Sequence, residues 1–228
     1  MLPALGRGAV EAALESAGGE ELTDLQKMWA WALLPILLTV WTTVGLWIVT
    51  CGTYSPQSCI FAQVLNIGAV LGLWISFIRF QQIRDYGCHC RLNTISLILG
   101  VVMMLGISLV GNFQKTNQTE THLVGSILAF YVGMAYFWLQ TALTYQVKPR
   151  HGGKWVGPLR FCLCLLCTAL IIMMMVFHIQ DLKSVAAICE WTAAMMMFFL
   201  FGLFAVDFWH LDGHFYHVQK KQSVLKRE

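Results

Sequence analysis

Long apolar runs alternate with short polar connections along the 228-residue chain. Each run has about 20 residues or more, the length that an α-helix needs to cross a hydrocarbon core about 30 Å thick. The pattern therefore predicts an all-α fold, a polytopic membrane protein built as a bundle of six transmembrane helices. The predicted helices cover residues 28–50, 59–80, 93–112, 123–145, 158–179 and 186–208. Because the connections are short, successive helices are expected to be antiparallel neighbours.

Two polar ends flank the predicted transmembrane domain, residues 28–208. Residues 1–27 contain no apolar run and are expected to form a flexible cytosolic tail. The first helix would then act as an uncleaved signal anchor. Residues 209–228 are expected to form a basic cytosolic tail.

Composition excludes an ordinary soluble domain. Hydrophobic residues make up 57% of the chain and charged residues only 12%, about half the charged share of a typical soluble domain.

The placement of the charged residues predicts the orientation of the chain in the membrane. With both termini in the cytosol, Lys115 and Lys183 are the only two of the fifteen basic residues on the outer side. Such a bias is typical of the positive-inside rule.

The predicted outer side carries two candidate modification sites. Cys51 and Cys59 flank the first outer loop, where an oxidising compartment permits a disulfide. The alternative is two unpaired thiols at helix ends. Asn117 begins an Asn-Gln-Thr sequon and is a candidate glycosylation site, which predicts a glycoprotein.

Polar residues inside the apolar runs gather toward two ends of the predicted bundle. At the inner end, Asp207 is expected to form an ion pair with Arg79 or Arg160, since an unpaired acid at mid-membrane costs about 2.5–3.5 kcal/mol. At the outer end, several polar side chains are expected to form one cluster that joins the helices by hydrogen bonds. Its members are Gln63, Asn66, Asn112, Gln114, His178 and Glu190.

Small residues recur every four positions on two helices. Gly125, Ala129 and Gly133 form such a stripe on the fourth helix, and Gly68 and Gly72 form one on the second. These stripes allow close backbone approach and predict that both helices pack inside the bundle.

We find no hydrolase triad, phosphate-binding loop or dinucleotide fingerprint in the sequence. The chain is therefore predicted not to be an enzyme, with no catalytic residues, no cofactor and no metal site. The expected partners are the lipid bilayer and further membrane or cytosolic proteins, with no nucleic acid.

Four short stretches together resemble the damage-regulated autophagy modulator family, in particular its transmembrane protein 150 branch. They are Ser-Pro-Gln-Ser-Cys-Ile-Phe at 55–61 running on to Asn66, Gly-Asn-Phe-Gln at 111–114, Ala-Ile-Cys-Glu-Trp at 187–191 and Phe-Ala-Val-Asp-Phe at 204–208. No stretch is specific alone, but the four occur in the right order. The first outer loop is shorter here than is usual in that family.

The resemblance implies six helices and a non-enzymatic role in promoting or tuning autophagy. It also implies residence in the plasma membrane, endosomes and the autophagosome or lysosome membrane. Relatives suggest two alternatives, a channel or transporter subunit and a membrane adaptor for a lipid kinase. A channel predicts a current that changes when Glu190 is neutralised.

Overall fold

The computed structural model describes residues 31–49, 57–87, 90–147, 155–209 and 211. Six helical segments in it are long and apolar enough to span a membrane, and the described ranges contain no strand, so the predicted all-α fold is confirmed. Both predicted tails lie mainly outside these ranges, and Cys51 lies outside them as well.

The helices are α1 (Trp31–Val49), α2 (Gln57–Asp85), α3 (Arg91–Asn112), α4 (Thr119–Ile127), α5 (Gly133–Gln146), α6 (Val156–Ile179), α7 (Lys183–Gly202) and α8 (Phe204–Phe208).

Two of the six spans are interrupted helices. A π-helical turn, Leu128–Val132, joins α4 to α5, and the three segments form the fourth span. Leu203 separates α7 from α8 in the sixth span. Apolar runs do not reveal such interruptions, because the side chains on either side remain hydrophobic.

Helices extend beyond the apolar runs that predict them. The second helix continues past residue 80 to Asp85, and the chain then turns at Gly87, whose φ is +80°. The fourth span begins at Thr119 rather than at residue 123. Hydropathy marks the part of a helix that lipid surrounds, whereas backbone hydrogen bonds continue into the polar turns at its ends.

The spans pack as antiparallel neighbours, and α3 contacts both the second and the fourth span. The strongest pairings are α2 with α3 and α6 with α7, and α3 also contacts α4, the π turn and α5. Side chains of α1 hydrogen-bond to its neighbours, since Thr39 donates to the Phe198 carbonyl (3.0 Å) and Trp41 to the Val64 carbonyl (3.1 Å). Large apolar side chains cover the outside, including Trp47, Ile48 and Ile179, as expected of a surface that faces lipid.

Glycines allow close contact between two of the spans. A Cβ atom added at Gly106 of α3 would lie 2.6 Å from both the Ala129 backbone nitrogen and the Leu128 Cβ. At Gly125 it would lie 2.8 Å from the Leu109 Cβ. The stripe on the fourth span therefore packs directly against α3.

Candidate functional site

A buried ion cluster, formed by Arg79, Arg160 and Asp207, closes one end of the bundle, which we call the basic end. Arg79 Nη1 lies 3.2 Å from Asp207 Oδ1. Arg160 Nη2 contacts Asp207 Oδ2, and Arg160 Nη1 donates to Oδ1 over 3.4 Å. The sequence left open which arginine pairs with Asp207, and the structure brings both to it. Only 3% of Arg79 and 2% of Arg160 is exposed.

Two glutamines surround the Arg79 side of the cluster. Arg79 donates to Gln82 Oε1 (2.7 Å) and to Gln140 Oε1 (3.3 Å). Gln82 in turn donates to the Asp207 carbonyl (2.6 Å), and Gln140 donates to Ser96 Oγ (2.7 Å). The amide oxygen of each glutamine thus accepts a hydrogen bond from Arg79, and the amide nitrogen donates one to a group on another span.

Neutral groups also surround Arg160. It donates to Thr144 Oγ1 (2.8 Å) and, at the break between α7 and α8, to the Leu203 carbonyl (3.2 Å). The guanidinium carbons of Arg160 and Arg79 lie 4.8 and 5.7 Å from the centroid of the Phe204 ring. Two guanidinium groups face one carboxylate, which leaves one positive charge in excess. The neutral hydrogen-bond acceptors and the face of the Phe204 ring stabilise that excess charge.

The cluster with its neutral partners ties together five of the six spans. The sequence did not single out Gln82, Ser96, Gln140, Thr144 or Phe204. The sequence does indicate Gln82 as a partner of Arg79, because it is three residues after Arg79 and therefore shares its helix face. Partners on other spans depend on how each helix is rotated in the bundle, which no local pattern specifies.

The polar residues predicted for the opposite end form separate groups. Asn66 and Asn112 pair through both amides (3.0 and 3.1 Å), and Ser108 Oγ donates to Asn66 Oδ1 (2.7 Å). Asn117 donates to Gln114 Oε1 (3.4 Å), and His178 Nε2 lies 3.4 Å from Lys115 Nζ. Gln63 is exposed on α2. The structure therefore divides the six residues rather than joining them.

Glu190 stands apart from these groups. It is half-buried in α7 and lines two cavities, and within the described part of the chain its side chain takes part in no hydrogen bond or ion pair. Lys183, a nearby cation, instead lies 3.1 Å from Asp181 in an exposed pair. Because an ionisable residue inside a membrane span is expensive, an unpaired one indicates a functional site.

The candidate modification sites differ in what the structure describes. Asn117 is exposed in the turn between α3 and α4, at the end opposite the ion cluster. Cys59 is an exposed free thiol near the start of α2, while its predicted partner Cys51 lies outside the described residues. Both modifications stay predictions.

Six apolar spans, five of them tied together by a buried ion cluster with its neutral partners, define a polytopic helical membrane protein. The chain belongs to the Frag1/DRAM/Sfk1/Cwh43P N-terminal domain family, whose model matches residues 48–211. The family resemblance drawn from the four sequence stretches is thereby confirmed.

Three relatives illustrate the similarity. A Xenopus laevis protein named "Modulator of macroautophagy TMEM150B-B" is 59% identical over 221 residues, covering 88% of this chain and 96% of its own. "Modulator of macroautophagy TMEM150B" of Xenopus tropicalis is 58% identical, covering 86% and 94%. The human protein of that name is 46% identical, covering 82% and 89%. No solved structure matches the chain.

Proposed function

We propose that this protein modulates macroautophagy as a multi-pass membrane protein without catalytic chemistry. The observation that carries this function is the similarity to relatives named as macroautophagy modulators, which extends over more than four fifths of the chain. The family model begins at the end of α1 and covers the other five spans, because it matches residues 48–211.

The buried charges support a structural rather than a catalytic use. Arg79, Arg160 and Asp207 are engaged with one another and with neutral groups of the bundle. They are also almost completely buried, so a substrate would have to displace these contacts before reaching them. We therefore propose that the protein acts through protein partners or lipids that contact its surface.

Conduction has weaker support as an alternative. The ion cluster and the Asn66–Asn112 pair lie toward opposite ends of the spans. Between them, by position along the helices, buried apolar side chains fill the centre, including Met103, Met134 and Met197. An ion path would require this apolar layer to open.

We propose the plasma membrane, endosomes and autophagosome or lysosome membranes as the sites of action. Contact with further membrane or cytosolic proteins, a lipid-kinase adaptor role included, belongs to the same proposal. The long apolar outer faces of the spans are suited to any of these bilayers.

Autophagic flux in starved cells tests the function. We expect flux, measured as the gain in an autophagosome marker on lysosomal inhibition, to change when the gene is deleted and to return when it is re-expressed. Asp181→Asn should restore flux because it leaves the ion cluster intact, whereas Asp207→Asn should not. Normal flux in both deleted and overexpressing cells would contradict the proposal.

A further inference from the structure

A lipid-facing cleft opens at the end of the bundle opposite the ion cluster. The buried residues of α6 all lie between Val156 and Ile171. Beyond Ile171, side chains such as Ile172, Met175 and Ile179 are exposed. The helix therefore packs tightly near the basic end and loosely beyond, which leaves room between α6 and α4.

The cleft is an amphipathic cavity of about 610 Å³. Its apolar lining includes Leu123, Ile127 and Met174, and its polar lining includes Lys115, His178 and Glu190. Pockets that hold small organic ligands usually have volumes of roughly 300–1,000 Å³ and a few polar groups on an apolar wall. The cavity thus has the size and lining of a ligand site.

A second, apolar cavity adjoins the first. It has a volume of about 100 Å³ and lies among α1, α2, α3, the π turn and α7, lined by residues such as Leu46, Leu65 and Ala194. Glu190 and Phe130 line both cavities. Phe130 belongs to the π turn, and such turns occur often at functional sites.

The charged groups occur in a definite order from the mouth inward. Lys115 and His178 lie at the mouth, in the turn before α4 and in the last turn of α6. Glu190 lies seven residues after Lys183, the first residue of α7, and so about 10 Å from that end of the helix at 1.5 Å per residue. The apolar cavity continues from Glu190. From the mouth inward, the cleft therefore presents a cation at Lys115, then the carboxylate of Glu190, and then apolar space.

This order selects a ligand chemistry. A phosphate suits the Lys115 ammonium, and an ammonium suits the Glu190 carboxylate, which has no partner among the residues that the structure describes. The ammonium must then stand between the phosphate and the alkyl chain. In phosphatidylethanolamine the amine is instead farther from the chains than the phosphate. Phosphorylated long-chain amino alcohols have the matching order.

We propose that the cleft binds a phosphorylated sphingoid base, with its phosphate at Lys115, its ammonium at Glu190 and the first carbons of its alkyl chain in the small apolar cavity, while the rest of the chain extends into the lipid that the cleft faces. Such binding goes beyond modulation of autophagy and does not depend on it, because it is measured on the purified protein.

Competition binding on wild-type protein in phosphatidylcholine nanodiscs gives the first test. Radiolabelled sphingosine 1-phosphate is the probe. Sphingosine lacks the phosphate, lysophosphatidic acid lacks the amine, and lysophosphatidylethanolamine carries the amine outside the phosphate. We expect each competitor to bind at least about tenfold more weakly than the probe, as the loss of one charged hydrogen bond implies. Equal affinity for the probe and lysophosphatidic acid would overturn the proposal.

Two variants assign the ammonium contact. Glu190→Gln should weaken sphingosine 1-phosphate binding by about tenfold or more and leave lysophosphatidic acid binding unchanged. The matched control Glu120→Gln removes an exposed acid in the first turn of α4, outside the lining of both cavities, and should bind both ligands normally. Unchanged probe binding by Glu190→Gln, or the same loss in both variants, would overturn the assignment. If Glu190→Gln fails to fold, the wild-type competition decides.

Discussion

Asp207→Asn is expected to lower the free energy of unfolding by about 3–5 kcal/mol, the range measured when one partner of a buried ion pair is removed. The substitution keeps the size of the side chain but removes the carboxylate that Arg79 and Arg160 share. Two guanidinium groups then remain buried without a counter-charge. Denaturation of the purified protein in mixed detergent micelles, followed by circular dichroism, measures the loss.

Asp181→Asn is the matched control for this prediction. Its carboxylate pairs with Lys183 over 3.1 Å, but both side chains are at least 80% exposed. Solvent already stabilises these charges, so the control should unfold almost as the wild type does. Equal losses in the two variants would show that burial of the ion cluster does not matter to the bundle. Adding Arg160→Gln to Asp207→Asn should recover part of the loss, because one unpaired charge is removed.

Gly106→Ala is expected to destabilise the bundle by about 3 kcal/mol, at the upper end of the range for overpacked cores. The new methyl group would lie 2.6 Å from the Ala129 backbone nitrogen, which cannot rotate away. Relief requires α3 to move from the fourth span at its closest approach. The same denaturation assay measures the change.

Gly72→Ala provides the comparison for Gly106→Ala. Its methyl group would lie 2.5 Å from Met104 Sδ, as close as at Gly106, but a methionine side chain is flexible and repacks. Both variants gain the same helix propensity from alanine, so the difference between them isolates the backbone contact. A loss at Gly72 equal to that at Gly106 would contradict the close packing of α3 on the fourth span.

Sequence reasoning succeeded where a single physical effect decides the structure. The six spans are predicted by the free energy of burying apolar side chains in lipid, which depends only on the composition of each run. Asp207, Arg79 and Arg160 were candidates for the same reason, since charges within apolar runs are few and these three lie toward one end. The sequence did not predict that both arginines contact Asp207, because those contacts depend on the rotation of α2, α6 and α8 about their axes.

The features that escaped prediction arise from contacts between distant segments. The π turn at Leu128–Val132 lies where Gly106 brings α3 against the fourth span, and neither segment's sequence reveals that contact alone. Asn66 meets Asn112, whereas Gln63, only three residues away, is exposed. A small rotation of α2 would exchange their environments. The sequence placed Glu190 in the outer polar cluster but did not predict the two cavities that it lines.

The membrane topology is the most direct test of the six-span account. Short tags at either terminus and one inserted beside Asn117 are exposed to protease in cells whose plasma membrane alone is permeabilised. We predict that, in the copies held in intracellular membranes, both terminal tags are digested while the tag beside Asn117 is protected, because an even number of spans returns the chain to the cytosol. Digestion of only one terminal tag would place the termini on opposite sides of the membrane and contradict six spans.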